Sequence, residues 1–257
     1  MYGNNLREVE TGRTGSWASN TNAPRLRNSA APQPPAGNGI LNTLPPSLFE
    51  LIKPSLRSVF LPREQFIFQQ GETIDHIYFP ESAITSELRL LDDGRMVEIA
   101  VTGREGAVGL TALFTPSLSA SCAQVAHAGT AMRIESVLLR KTARIYPEIS
   151  RLLYPHLDTY IRQISQKAVC NMYHSVEERL CSWLLTMYDR GGRSALKLTH
   201  EQMARTLGVH RPSVTCIALE LKKQGVIDYT RGGVAILDRA QLEKIACSCY
   251  AELSSVE

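Results

Sequence analysis

The sequence lacks several features that would define other classes of protein. No apolar run approaches the roughly 20 residues that a membrane span needs, and the N-terminus has no apolar core of a secretion signal. We therefore expect a cytoplasmic protein with no membrane partner. A glycine-rich phosphate loop, a nucleophile elbow and paired metal ligands are also missing. The sequence therefore predicts neither an enzyme nor a cofactor.

Cysteine is scarce, and none occurs in the first 121 of the 257 residues. The six cysteines are Cys122, Cys170, Cys181, Cys216, Cys247 and Cys249. Six cysteines spread so widely along the chain do not predict a disulfide framework. Cys247 and Cys249 stand too close together to clamp a zinc ion alone, and no second pair or Cys/His cluster accompanies them in the sequence. We predict free thiols and no metal site, with redox sensing through Cys170 and Cys181 left open.

A net charge of +3 does not by itself indicate a nucleic-acid partner. The local balance is more informative, because the stretch from Arg193 to Gly233 contains seven basic and three acidic residues. Such an excess is expected where a protein contacts phosphates, although a solvated helical face would also carry it.

Composition divides the chain into segments. Residues 1–39 are rich in Asn, Gly, Ser, Thr, Ala and Pro, and their few apolar residues show no period. We predict a disordered tail there, because such a segment buries too little surface to offset its ordering entropy. Over residues 40–146, short alternating segments with turn signals such as Asp93-Gly94 predict an antiparallel β-sandwich or barrel.

A helical pattern follows the strands. Apolar residues recur at steps of three and four, at Leu153, Leu157, Ile161, Ile164, Ala168 and Met172. They predict one stripe on a long helix, 147–174, which a second copy of the chain would cover in a homodimer. Ser175 followed by Glu178 predicts a capping box that opens a further domain, 175–257.

The stretch from Thr199 to Lys223 predicts a helix-turn-helix. Ala204 is small enough for close helix approach, Gly208 can take the positive φ of a tight turn, and Val214 fills the contact from the other side.

Flanking signals agree with this prediction. Thr199 and Gln202 have the spacing of a capping box, and Pro212 stands where a first helical turn tolerates it. The following segments GVIDYT, RGG and VAILD predict a strand, a turn and a strand, which form a wing. A short C-terminal helix, RAQLEKIACSCY, comes next.

A β-domain, a long helix and a winged helix-turn-helix in this order resemble the Crp/Fnr family of bacterial transcription regulators, over roughly residues 40–250. The motif EQMARTLGVHRPSVTCIALELKKQGVIDYTRGGVAILD carries most of the resemblance. It implies an α+β fold, with a jelly-roll sensor domain, a dimerisation helix and a C-terminal winged helix-turn-helix. It also implies a homodimer on pseudo-palindromic double-stranded DNA, with RNA polymerase as a further partner.

The sensor departs from the pattern of cyclic-AMP binders in this family. Gly109 fits the glycine of their phosphate cassette, but Leu110 replaces its Glu, and Ser121-Cys122 replaces its Arg-Ser pair. Without that arginine the cyclic phosphate loses its bidentate partner, so we expect no control by cyclic AMP. The N-terminal cysteines of iron–sulfur members are absent. Haem ligation through one of three histidines stays open; these are His76, His127 and His156.

The N-terminal end of the second helix is expected to read the major groove. Arg211 is predicted to pair with guanine, and Ser213 and Thr215 are predicted to contact bases less specifically. A phosphate contact or a solvent-facing charge is the alternative for Arg211. The predicted backbone contacts are Thr199, His200, His210, Lys222 and Arg231. The competing hypothesis is a nucleotide- or redox-responsive signalling protein whose winged helix serves protein contact.

Overall fold

The structure of the chain is a computed structural model, and it describes residues 37–116, 118–191, 196–230 and 233–254. The predicted disordered tail therefore lies outside the described residues, except for its last three positions. None of the described helices is both long and apolar enough to cross a membrane.

The first half of the described chain combines short helices with strands. Its helices are α1 (Gly39–Thr43), α2 (Pro46–Ile52), α3 (Thr111–Phe114) and α4 (Ser136–Ile145), with a 3₁₀ turn at Lys53–Ser55. Its strands are β1 (Arg57–Leu61), β2 (Phe66–Phe68), β3 (His76–Pro80), β4 (Ile84–Leu90), β5 (Met96–Thr102), β6 (Cys122–His127) and β7 (Gly129–Glu135).

The second half is mainly helical. Its helices are α5 (Pro147–Tyr173), α6 (Val176–Arg190), α7 (His200–Leu207), α8 (Arg211–Lys223), α9 (Arg239–Ile245) and α10 (Cys249–Ser254). Its strands are β8 (Ile227–Thr230) and β9 (Gly233–Ile236).

Strands β1 to β7 form two antiparallel sheets, ordered β1-β7-β3 and β2-β6-β4-β5. Leu61, Val125 and Ala131 pack between the sheets in one buried cluster. The predicted turn at Asp93-Gly94 joins β4 to β5, and Gly94 has a φ of 82°. The predicted antiparallel sandwich and its hairpin are confirmed.

The apolar stripe of α5 winds around the helix. Each step of four residues advances a side chain by about 40° beyond a full turn. Leu153 is therefore buried, at 2% exposure, whereas Ile161 and Met172 are 54% and 74% exposed. The predicted stripe thus begins in the core of the sandwich domain and ends on the surface of the chain.

The helix-turn-helix forms as its local signals predict. Thr199 Oγ1 accepts from the backbone N–H of Gln202 at 3.1 Å, which completes the predicted capping box of α7. Gly208 has a φ of 66° and turns the chain into α8. Ala204 and Val214 are both buried where the two helices cross. Ser175 and Glu178 form the predicted capping box of α6.

The wing and the C-terminal helix differ in how well the sequence predicts them. β8 and β9 pair antiparallel, so the wing is confirmed, and its turn at 231–232 lies outside the described residues. The predicted single helix after it is wrong, because the chain leaves α9 at Ala246, which has an extended ψ of 151°. The N–H of Cys247 then bonds to Ser182 Oγ at 3.1 Å, and α10 begins at Cys249.

The sandwich and the C-terminal helices share one hydrophobic core. Ile84 of β4 and Val101 of β5 belong to the same buried cluster as Leu184 of α6, Ala204 of α7 and Val214 of α8. The border between the two predicted domains is therefore a packed apolar contact.

A buried carboxylate lies at the same border. Glu98 of β5 is 1% exposed, and its Oε1 accepts from Lys167 Nζ of α5 at 3.0 Å. Its Oε2 accepts from Trp183 Nε1 of α6 at 3.2 Å and from Ser86 Oγ at 2.6 Å. A buried charge is tolerated only when it is paired and hydrogen-bonded, so Glu98 requires these three elements to stay together.

We predict that Glu98→Gln lowers the free energy of unfolding by about 3 kcal/mol, because it leaves the Lys167 ammonium without its carboxylate. Urea unfolding at a fixed protein concentration measures this change. Glu220→Gln is the matched control, since Glu220 pairs with Lys223 on the exposed surface at 3.4 Å, and we expect its cost to stay under about 1 kcal/mol. Equal costs for the two variants would contradict the prediction.

Candidate nucleic-acid interface and effector pocket

The N-terminal end of α8 is an exposed polar surface. Arg211, Pro212 and Ser213 are exposed, and His210 precedes them as the N-cap residue. The opposite face of the helix carries the buried residues Val214, Ala218 and Leu221. This burial fixes which side of α8 faces solvent.

Arg211 is exposed at this end of α8. Its side chain makes no hydrogen bond or ion pair within the described part of the chain, so its guanidinium is available to a ligand. A guanidinium can donate to both O6 and N7 of a guanine.

Thr215 and His200 pack against each other instead of reaching outward. Thr215 Oγ1 lies 3.1 Å from His200 Nδ1 and 3.1 Å from the carbonyl oxygen of Arg211. The His200 ring lies 4.4 Å, centroid to centroid, from that of Tyr229. Burial lowers the pKa of His200, and the charge of Arg211 lowers it further. Both side chains therefore help to hold α7, α8 and the wing together.

The other predicted backbone contacts lie around α8. Thr199 caps α7 and is exposed. Lys222 Nζ pairs with Asp228 Oδ1 of the wing at 2.8 Å, and both side chains are about half exposed. Such a pair contributes at most about 1 kcal/mol, so Lys222 can exchange it for a phosphate. Arg231 lies outside the described residues.

The structure adds one residue to this surface that the sequence reasoning missed. Leu219 is 55% exposed on α8, two turns after Pro212 and one turn after the exposed Cys216. Its spacing of seven from Pro212, opposite the buried Val214, is a sequence signal that could have identified it.

A small pocket lies between the sandwich and α5. The residues around it include Phe68, Glu87, Gly109, Leu110, Leu157 and Tyr160. Gly109 has a φ of 83°, and Leu110 is 6% exposed. Two of the four predicted cassette residues, Gly109 and Leu110, therefore line the pocket.

A carboxyl group that the sequence reasoning missed lies in this pocket. Glu87 Oε1 accepts from Tyr160 Oη at 2.6 Å and also from Ser121 Oγ. Burial raises the pKa of Glu87, while these two hydrogen bonds lower it. Ser121 thus reaches the pocket through Glu87, and Cys122 Sγ instead contacts the carbonyl oxygen of Leu88 at 3.3 Å. The signal for Glu87 was a lone acidic residue between the buried positions of β4.

Both cysteines of the redox hypothesis are buried, and burial raises the pKa of the Cys170 thiol to about 12. Cys181 is fully buried in the core of the C-terminal helices, and burial raises the pKa of its thiol to about 12. Reaction with an oxidant requires an accessible thiolate, so Cys181 has neither the exposure nor the charge state of a sensor. The three histidines of the haem hypothesis lie on β3, β6 and α5.

These two sites define a class of protein: a sensor sandwich with a pocket against a long helix, joined to a winged helix-turn-helix with an exposed second helix. Comparisons with known families agree with this class. Residues 58–144 match the cyclic nucleotide-binding domain, and residues 178–245 match the Crp-like helix-turn-helix domain.

Individual relatives cover both domains. A CRP-like cAMP-activated global transcriptional regulator of Mycobacterium tuberculosis is 26% identical over 215 residues, which is 81% of this chain and 96% of the relative. The anaerobic regulatory protein of Bacillus subtilis is 23% identical, over 79% of this chain and 88% of the relative. The structure of FixK2 from Bradyrhizobium japonicum has the same fold, with a TM-score of 0.65 at 18% identity, over 75% and 98% of the two chains.

The chain belongs to the Crp/Fnr family of transcription regulators. Its helix-turn-helix is a DNA-binding domain, and its relatives are regulators and not enzymes. The resemblance inferred from the sequence is therefore confirmed.

Proposed function

We propose that this chain regulates transcription as a homodimer that reads a pseudo-palindromic operator in the cytoplasm, together with RNA polymerase, and that cyclic AMP does not control it. Residues 40–146 would serve as the sensor, 147–174 as the dimerisation helix and 175–257 as the DNA reader. The exposed end of α8, where the guanidinium of Arg211 has no ion-pair partner among the described residues, is the observation that carries the proposal.

Arg211 and Lys222 of α8 would contact different parts of the DNA. Arg211 lies at the end that enters the major groove and would select a base. Lys222 lies eleven residues on, beside the wing, and would contact a phosphate, which carries no sequence information. Their effects on binding should therefore differ in kind.

We predict that Arg211→Ala costs about 1–3 kcal/mol on the specific site and relaxes the preference at one base pair. Lys222→Ala should instead weaken binding to specific and random DNA alike, and should reduce the salt slope by about one. Salt-controlled fluorescence titrations on both DNAs distinguish the two effects. A uniform loss for Arg211→Ala would exclude its role in base reading.

The dimer is proposed from the surface of α5. Apolar side chains are exposed along it, most of them towards its C-terminal end: Tyr154, Ile161, Val169, Met172 and Tyr173. An exposed apolar face of this kind marks a protein interface. Pairing with the same face of a second copy would cover it and set the two readers about one turn of DNA apart, roughly 34–36 Å.

We predict that Ile161→Glu shifts the protein from dimer to monomer, because it places a charge in the apolar contact. Sedimentation velocity measures the change. Leu219→Glu is the matched control, since Leu219 on α8 is 55% exposed, close to the 54% of Ile161, and it should leave the dimer intact. If Ile161→Glu is still dimeric at the protein concentration at which the wild type is dimeric, this face is not the interface.

The proposal that cyclic AMP has no role rests on the pocket charge. The Mycobacterium relative is cAMP-activated by its name. In the part of this chain that the structure describes, the pocket lacks the charge that would bind a cyclic phosphate. The described residues around the pocket include Glu87 but no Lys or Arg. A cyclic phosphate would bring its negative charge beside this carboxyl group with no guanidinium to offset it.

We predict that isothermal titration of cyclic AMP into the full chain gives no saturable binding, because the phosphate finds no cation. DNA affinity, measured on an operator recovered by genome-wide occupancy mapping, should be the same with and without the nucleotide. A cyclic-AMP-dependent gain in affinity would contradict this part of the proposal and leave the DNA-binding role intact.

A further inference from the structure

Four potential metal ligands meet where α5 ends. Cys170 lies in the last turn of α5, and His174 lies in the link between α5 and α6. Cys247 lies in the break between α9 and α10, and Cys249 is the first residue of α10. The three sulfur atoms and an imidazole nitrogen all lie within 4.8 Å of one another.

The prediction that no Cys/His cluster accompanies Cys247 and Cys249 is therefore wrong. Cys170 and Cys247 are 77 positions apart in the sequence, and the packing of the C-terminal segment against α5 and α6 brings them together. The broken C-terminal helix also matters, because it turns both Cys247 and Cys249 inward, to 4% and 7% exposure.

Two of the distances between these ligand atoms are close to those around a single tetrahedral ion. With Zn–S bonds of about 2.3 Å, two sulfur ligands of a tetrahedral zinc lie about 3.8 Å apart, and a sulfur and a nitrogen slightly closer. Cys170 Sγ lies 4.0 Å from Cys247 Sγ, and Cys249 Sγ lies 3.7 Å from His174 Nδ1. A cluster with several iron atoms holds its thiolates on different metal centres and needs a wider cage.

We propose that Cys170, His174, Cys247 and Cys249 bind one Zn²⁺ ion. Three thiolates and one imidazole form a closed four-coordinate set of the soft and borderline donors that zinc prefers in structural sites. This site is independent of the effector pocket and of the DNA-reading surface, and the inference does not depend on the proposed function.

Neighbouring groups suit thiolate ligands. Gln166 Nε2 donates to Cys249 Sγ at 2.6 Å, and Ser182 Oγ lies 3.0 Å from Cys247 Sγ. Three thiolates on a divalent ion leave one net negative charge, which these donors would disperse.

The position gives the ion a mechanical role. His174 is the C-cap residue of α5, and α6 begins two residues later. The ion would tie this joint to the C-terminal segment, and so would fix the angle between the dimerisation helix and the DNA reader.

We predict about one zinc ion per chain in the full-length protein, measured by inductively coupled plasma mass spectrometry after purification without added metal. Cys247→Ser, Cys249→Ser and His174→Ala should each lower the zinc content several-fold. Cys216→Ser is the matched control, because its thiol is exposed on α8 and outside the cluster, and it should keep the zinc of the wild type.

A second measurement does not depend on folding of the variants. Wild-type protein stripped with a chelator and titrated with Co²⁺ should show tetrahedral thiolate absorption that saturates at one equivalent and is lost on adding Zn²⁺. His174→Ala, at a half-exposed position, should alter this spectrum while the far-ultraviolet circular dichroism stays unchanged.

Three results would overturn the assignment. One is wild-type protein that is free of zinc and gives no cobalt spectrum. Another is stoichiometric iron, which would assign a different metal. The third is an intact mass two hydrogens below that of the reduced chain, with Cys170 linked to Cys247, which would assign a disulfide to these thiols.

Discussion

The ionic contact of Glu98 with Lys167 determines how the two halves of this chain can be arranged. Its carboxylate comes from the sensor sandwich, its ammonium from α5, and its indole partner, Trp183, from α6. Removing any one element would leave a charge or an N–H group buried without a partner, at a cost of several kcal/mol. Arg190 extends this junction, because it donates to the carbonyl oxygen of Val101 at 2.8 Å and pairs with Glu105 at 3.1 Å.

The DNA reader also contacts the sensor through the first helix of its helix-turn-helix. A Cβ atom at Gly208 would lie 3.3 Å from Val97 Cγ2 on β5, and Arg205 Nη2 lies 3.5 Å from Gln124 Oε1 on β6. The turn that positions α8 thus lies directly on the sandwich. In this arrangement any shift of β5 would also move α7, the helix that precedes the reading helix.

Local chemistry explains why so much of the fold could be predicted from the sequence. Capping boxes at Thr199 and Ser175, the turn at Gly208 and the hairpin at Gly94 depend on residues within a few positions of each other. The presence of the strands followed from alternation and turn signals, whereas their order in the two sheets was not predicted. The order of the domains came from the same local patterns, and it is what carried the family resemblance.

The features that escaped prediction depend on contacts between distant residues. Glu87 meets Tyr160 across 73 positions, and Cys170 meets Cys247 across 77. Neither pair has a local pattern that marks its members. The end of α9 at Ala246 also escaped prediction. The backbone N–H of Cys247 donates to the hydroxyl of Ser182 on another helix and not to a carbonyl oxygen of α9. The contact of the Thr215 hydroxyl with His200 also escaped, because periodicity alone does not reveal it, and the predicted contact of Thr215 with DNA stays a prediction.

The shared core has a consequence for how the chain folds. Ile84 and Val101 are fully or almost fully buried under α6, α7 and α8. A fragment that ended before α6 would expose both side chains to water, and a fragment that began at α6 would lose the surface on which its helices pack. Cooperative unfolding follows from such sharing, because neither half keeps its own complete core. The sandwich domain and the helix-turn-helix domain thus match different family models. They nevertheless form one thermodynamic unit.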